Sequence, residues 1–258
     1  MSRIENAFKE KAFVAFLTGG DPTIEKSVEY IGRLIDGGAD VIEIGIPFSD
    51  PIAEGPVIQA ANVRALSAGA NLNKIFSIVE NVRKKYTETP IVFLTYLNPV
   101  YKFGPENFFK KCAEIGADGI IVPDMPFEEK GEISPAAAKY GIDIISLIAP
   151  TSEERIKLIA SEAQGYIYIV SSMGVTGMRS EIKTDISSIV ESIRKYSDKP
   201  AAVGFGINSP EQAKKFSAIA DGVIVGSAIV KIIEKFGANA GDKLFEYAKQ
   251  MKAACMEA

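Results

Sequence analysis

The chain has 258 residues, 47% of them hydrophobic and 24% charged, which is enough apolar mass for a sizeable core. A formal net charge of -4 offers nothing to attract nucleic acid or an anionic membrane surface. No apolar run approaches the roughly 20 residues that span a bilayer, and segment 1–13 lacks the apolar centre and small-residue cleavage site of a signal peptide, so a cytoplasmic protein is expected. There is no histidine, which removes Ser-His-Asp and Cys-His catalysis and imidazole-ligated metals. Cys112 and Cys255 sit in no CxxC pair and no zinc spacing, and read as ordinary thiols.

In chain order, the first apolar run is 13–18. It ends in Thr18-Gly19-Gly20-Asp21-Pro22, which is not a dinucleotide-binding fingerprint. A helix follows over 24–35, with Val28, Ile31, Leu34 and Ile35 on one face. Further runs at 41–46, 91–97, 119–123, 143–149, 166–171, 201–205 and 222–226 lack polar alternation, as parallel strands covered on both faces do. Helical patterns at 73–86, 105–115, 128–140, 153–163, 185–196, 209–218 and 227–236 separate them, and a last helix covers 240–254. One phrase recurs before three strands: Gly38-Ala39-Asp40, Gly116-Ala117-Asp118 and Ala220-Asp221-Gly222. Eight strand–helix repeats without a linker predict one domain over 1–258, an α/β fold closed as a (β/α)8 TIM barrel.

Such barrels place their chemistry at the C-terminal strand ends. Two loops there are long, 47–58 after the second strand and 171–184 after the sixth, and long loops on this face act as lids or docking elements. Glu43 interrupts the run VIEIGIP, so its carboxyl either points into the barrel mouth as a general acid–base or forms a buried ion pair. Glu54 on the stiff loop is a second candidate or an ordinary solvated acid, while Asp50 and Asp124 have turn capping as the alternative. Tyr166 and Tyr168 share one strand face, either at the mouth or filling the barrel. Gly206, Gly226 and Ser227, after the last two strands, have the residue types of a phosphate cradle built from backbone N–H groups and a helix N-terminus, and Gly177 can add another N–H. No lysine stands at a strand end, which argues against Schiff-base chemistry, and no tight carboxylate cluster marks a metal site.

VIEIG with PFSDPIAEGPVIQ resembles the signature of the tryptophan synthase alpha subunit family. The likeness runs from FVAFLTGGDP at 13–22 through YIYIVSSMGVTG and VGFGINSPEQ to GSAIVKIIEK at 226–235. It implies retro-aldol cleavage of indole-3-glycerol phosphate to indole and glyceraldehyde 3-phosphate. Glu43 matches the family's main acid–base carboxylate. Glu54 matches the second one, acting at the indole N–H, although Asp is commoner there. Tyr168 matches a residue near the reacting centre, Thr176 a lid residue that bonds the second carboxylate, and Phe16, Leu94, Tyr96 and Phe205 an indole pocket. Gly177, Gly206, Gly226 and Ser227 match the phosphate cradle. The resemblance also implies an α2β2 heterotetramer. Asp50, Asn98, Pro99 and Tyr101 would face a beta subunit that holds pyridoxal phosphate, and this chain would have no cofactor of its own. Two rivals stay open: another phosphate-binding barrel enzyme, which for indole-glycerol-phosphate synthase would want a strand-end lysine, and a non-catalytic activator of a partner.

Overall fold

Every apolar run of the sequence becomes strand, and all pair in parallel. In the computed structural model, which describes residues 2–171, 185–204 and 206–258, they are β1 (Ala12–Thr18), β2 (Val41–Gly45), β3 (Ile91–Leu94), β4 (Gly119–Ile121), β5 (Asp143–Ile144), β6 (Ser146–Ile148), β7 (Ile167–Val170), β8 (Ala201–Gly204) and β9 (Gly222–Val225). Their order is β5-β4-β3-β2-β1-β9-β8-β7-β6, a nearly closed barrel. The expected fifth strand, 143–149, is two pieces because one segment serves both edges of the sheet. Its first half pairs with β4, its second with β7, and the change of partner falls at Ile145.

Alternate residues of each strand point to opposite faces. Phe13, Ala15, Leu17, Ile42 and Ile44 pack outward against the helices. Val14, Val41, Val92, Ile121, Tyr166, Tyr168, Ala202 and Ile224 fill the barrel. Both faces are therefore dry, which explains runs with no polar alternation.

The helices are α1 (Arg3–Ala7), α2 (Ile24–Asp36), α3 (Pro56–Ser67), α4 (Leu72–Arg83), α5 (Leu97–Phe103), α6 (Pro105–Ile115), α7 (Ser134–Lys139), α8 (Glu153–Ala160), α9 (Ile186–Arg194), α10 (Pro210–Ser217), α11 (Ser227–Phe236) and α12 (Gly241–Met256). Three of them were not expected. α1 plugs the lower end of the barrel, where Ile4 is buried in the interior cluster and the Phe8 ring lies 5.3 Å from that of Tyr166. α3 carries apolar side chains all round, Val63 and Leu66 among the exposed ones, so it lacks the clean stripe by which a helix is read. α5 carries Pro99 in its first turn, where a missing N–H costs nothing. The helix expected over 128–140 starts only at Ser134, after a 3-10 turn, because Pro135 is tolerated in a first turn and not in a helix interior. Cys255 lies buried inside α12. Among the described residues no helix is long and apolar enough to cross a membrane.

The recurring Asp phrase has one structural job. Asp40, Asp118 and Asp221 each precede a strand, and each carboxylate accepts the backbone N–H of a neighbouring strand: Phe13 at 2.7 Å, Ile91 at 2.8 Å and Ala201 at 2.9 Å. Each also holds a cation, respectively Lys252, the pair Arg3 and Arg83, and Arg194. The three clamps tie the lower rim together. Their strengths differ with burial: Arg83 and Asp118 are only 11% and 12% exposed, whereas Arg194 is 57% exposed. Asp118→Ala strands a desolvated guanidinium and should cost roughly 3–5 kcal/mol, against about 1–2 kcal/mol for Asp221→Ala. Urea unfolding of both variants checks the ranking, and equal losses would contradict it.

Candidate active site

At the C-terminal end of the barrel lies a cavity of about 520 Å3, of the size that takes a small molecule. Glu43 rises from the inner face of β2, between Phe16 of β1 and Val92 of β3 in register. It is 1% exposed and its Oε1 accepts the Tyr166 hydroxyl at 2.5 Å. Burial pushes its carboxyl up to about 7, and the Tyr166 bond opposes this only in part. Glu54 reaches the same cavity from the loop before α3. Its Oε2 accepts Asn62 Nδ2 at 2.7 Å, and burial again raises the carboxyl to about 7. Among the described residues, neither acid is in an ion pair and no lysine or arginine lines the cavity. Two carboxyls thus sit in one apolar chamber, poised near neutrality.

The rest of the wall is largely apolar and includes Phe16, Leu94, Ile121, Leu147, Tyr168 and Ile224. Space for the rings is made by glycine: a Cβ on Gly45 would lie 2.7 Å from Phe16 Cζ. Burial, with the neighbouring Glu43 charge, drives the Tyr168 hydroxyl far upward, so it stays protonated. Gly206, Gly226 and Ser227 line the same cavity. Gly206 has φ +104°, a left-handed backbone suited to glycine, and its carbonyl accepts Asn208 Nδ2 at 2.7 Å. Ser227 opens α11, and no side chain among the described residues caps that helix, so its first N–H groups and its dipole are available to an anion.

Eight of the residues singled out in the sequence therefore meet in this chamber: Glu43, Glu54, Tyr168, Phe16, Leu94, Gly206, Gly226 and Ser227. Tyr96 does not line it. Its ring stacks on Phe48 at 5.3 Å and its hydroxyl accepts Ala53 N–H at 3.1 Å, so it supports the Glu54 loop from behind. Asp124 accepts Leu97 N–H at 3.0 Å, the capping role. Thr176, Gly177 and Phe205 lie outside the described residues. Asp50, Asn98 and Tyr101 are exposed and Pro99 half-buried, on the loop and α5 beside the mouth, where Ile52 is 75% exposed. Asn62 escaped the sequence reading because α3 did. Its only signal is the spacing of two helical turns from Glu54. Among the described residues no group of His, Cys, Asp and Glu could hold a metal ion.

The family model of the tryptophan synthase alpha chain matches residues 3–257. The chain belongs to that family. The tryptophan synthase alpha chain of Lacticaseibacillus casei is 49% identical over 255 residues, covering 98% of this chain and 96% of that one. The alpha chain of Methanocaldococcus jannaschii is 48% identical over 227 residues, covering 88% and 80%. Among solved structures, subunit alpha from Legionella pneumophila superposes with a TM-score of 0.90 at 37% identity, over 99% of this chain and 98% of that one. A chain of the tryptophan synthase α2β2 complex of Pyrococcus furiosus gives 0.86 at 36%, over 95% and 99%. The family's alpha reaction cleaves indole-3-glycerol phosphate to indole and glyceraldehyde 3-phosphate in tryptophan biosynthesis, and this tryptophan synthase alpha chain relative is that carbon–carbon lyase.

Proposed function

We propose that Glu43 and Glu54 perform this cleavage between them. The phosphate sits at Gly206, Gly226 and Ser227, and the indole ring lies against Phe16, Leu94 and Tyr168. Glu43, uncharged, gives its proton to indole C3. Positive charge then develops on the ring nitrogen, and the Glu54 carboxylate accepts the N–H hydrogen bond and stabilises it. The bond from C3 to the hydroxyl-bearing carbon breaks, and its electron pair restores the indole. The hydroxyl proton passes to Glu43, leaving an aldehyde and returning the acid to its starting form. Nothing in these steps draws on a cofactor held by this chain. The observation that carries the reading is that two buried carboxyls near 7 line one apolar cavity with a helix N-terminus that no described side chain caps.

The same reading places a beta-type subunit on the face that holds Asp50, Asn98, Pro99 and Tyr101, in an α2β2 heterotetramer. Apolar indole would then leave past Ile52, which is exposed at the mouth. Thr176, Gly177 and Phe205 keep the lid, phosphate and indole roles that the resemblance gives them. As a step of tryptophan biosynthesis the reaction is assigned to the cytoplasm.

The pH dependence tests the division of labour. Glu54 must be ionised, so the rate falls as pH drops through about 7; Glu43 must be protonated, so it falls as pH rises through about 7. kcat/KM should trace a bell centred near neutrality. A flat profile between pH 5 and 9 would contradict it.

A further inference from the structure

We infer that Asn62 is a positioning residue for the reaction, holding the Glu54 carboxylate in place and in its charged form through one buried hydrogen bond. The inference rests on the role of Glu54 proposed above. Asn62 lies in α3, 3% exposed, and donates to Glu54 Oε2 at 2.7 Å. An amide nitrogen can only donate, so this contact favours the carboxylate over the acid. The loop is tied to α3 a second time, since Gln59 Nε2 donates to the Glu54 carbonyl at 2.7 Å. α3 is itself anchored on its far side, where Arg64 makes two hydrogen bonds to the buried Asp21 at 2.9 and 2.8 Å and a contact to Glu234 of α11 at 3.3 Å. Glu54 is therefore held from a helix braced against the first barrel loop and against the helix whose N-terminus faces the phosphate. Among the described residues, the other ionisable groups around it are Glu43 on β2, Tyr168 on β7 and Tyr96 behind the loop, none of them cationic. Among the described residues, Asn62 is thus the group whose loss most directly favours the uncharged acid.

The test is the acid limb of kcat/KM in Asn62→Leu and Asn62→Asp, each shown folded by circular dichroism, beside Glu54→Gln. The leucine should move the limb up by about one pH unit and lower the rate at pH 6 about tenfold with KM little changed. The aspartate, which repels Glu54 once ionised, should move it further. A residue that merely supported the fold would alter yield or melting temperature and leave the limb fixed, which would overturn the inference. If neither variant folds, the parental chain decides. The side-chain 15N–1H resonances of Asn62 should titrate with Glu54 and stop doing so in Glu54→Gln, and resonances indifferent to pH would refute the contact. A parental rate in Glu54→Gln would instead remove the reading of Glu54 itself.

Discussion

Glu43→Gln should lower the cleavage rate by roughly 10²–10⁴-fold, the size of a general acid–base contribution, without weakening the fold. The side chain is nearly isosteric, and its amide oxygen can still accept the Tyr166 hydroxyl, so the geometry of the chamber survives. What is lost is the proton for C3. Stability should move the other way. The folded chain holds this carboxyl at about 7 against an ordinary 4.5, so it favours the uncharged form. That favourable contribution is complete below pH 4.5 and is lost as pH rises through about 7. At pH 8 the parental chain carries the full cost of a buried charge and the glutamine variant does not. Its melting temperature at pH 8 should equal or exceed the parental value, measured by calorimetry beside the product assay. A variant both inactive and strongly destabilised would mean that Glu43 is structural. A variant with parental activity would show that Glu43 is not the proton donor to C3.

The second large loss is expected from Glu54→Gln, roughly 10²-fold at pH 7. Glutamine can still accept the Asn62 amide, so position is kept while charge is removed. The decline should fall on kcat, because the developing positive charge on the indole nitrogen exists only on the way to the transition state. The rising limb of the pH profile should vanish with it. Glu54→Asp keeps the charge and should retain most of the rate. Parental kcat in Glu54→Gln would contradict the role given to this carboxylate.

Much of this was legible in the sequence because barrel strands write a plain code. A dry strand shows as a run without alternation, and one acid inside such a run, Glu43, is conspicuous against its neighbours. Gly226-Ser227 at a strand end was equally readable, since the residue types needed there are few. The losses came where local pattern is weak. α3 was unreadable because it is apolar on several sides, and with it went Asn62, whose partner is a residue the chain leaves and meets again two turns later. α1 was too short for a period, and its role as a plug depends on what stands below the barrel rather than on its own sequence. Tyr96, which the resemblance alone placed in the indole pocket, stacks instead on Phe48 behind the Glu54 loop. Strand three stops at Leu94, three residues before its expected end, and Tyr96 becomes the N-cap residue of α5. The repeated Asp phrase was visible as a motif, but its rim-clamping role needs the adjacent strand, which only the pairing order supplies.

The most direct test of the chemistry is to incubate the purified chain with indole-3-glycerol phosphate in D2O, with a beta subunit present, and to analyse both products by mass spectrometry. Delivery of an enzyme-bound proton to C3 predicts equimolar indole and glyceraldehyde 3-phosphate, one deuterium at indole C3, and loss of both products in Glu43→Gln. Equal product formation by the parental chain and Glu43→Gln, or no cleavage by a parental chain that still binds the substrate, would contradict it.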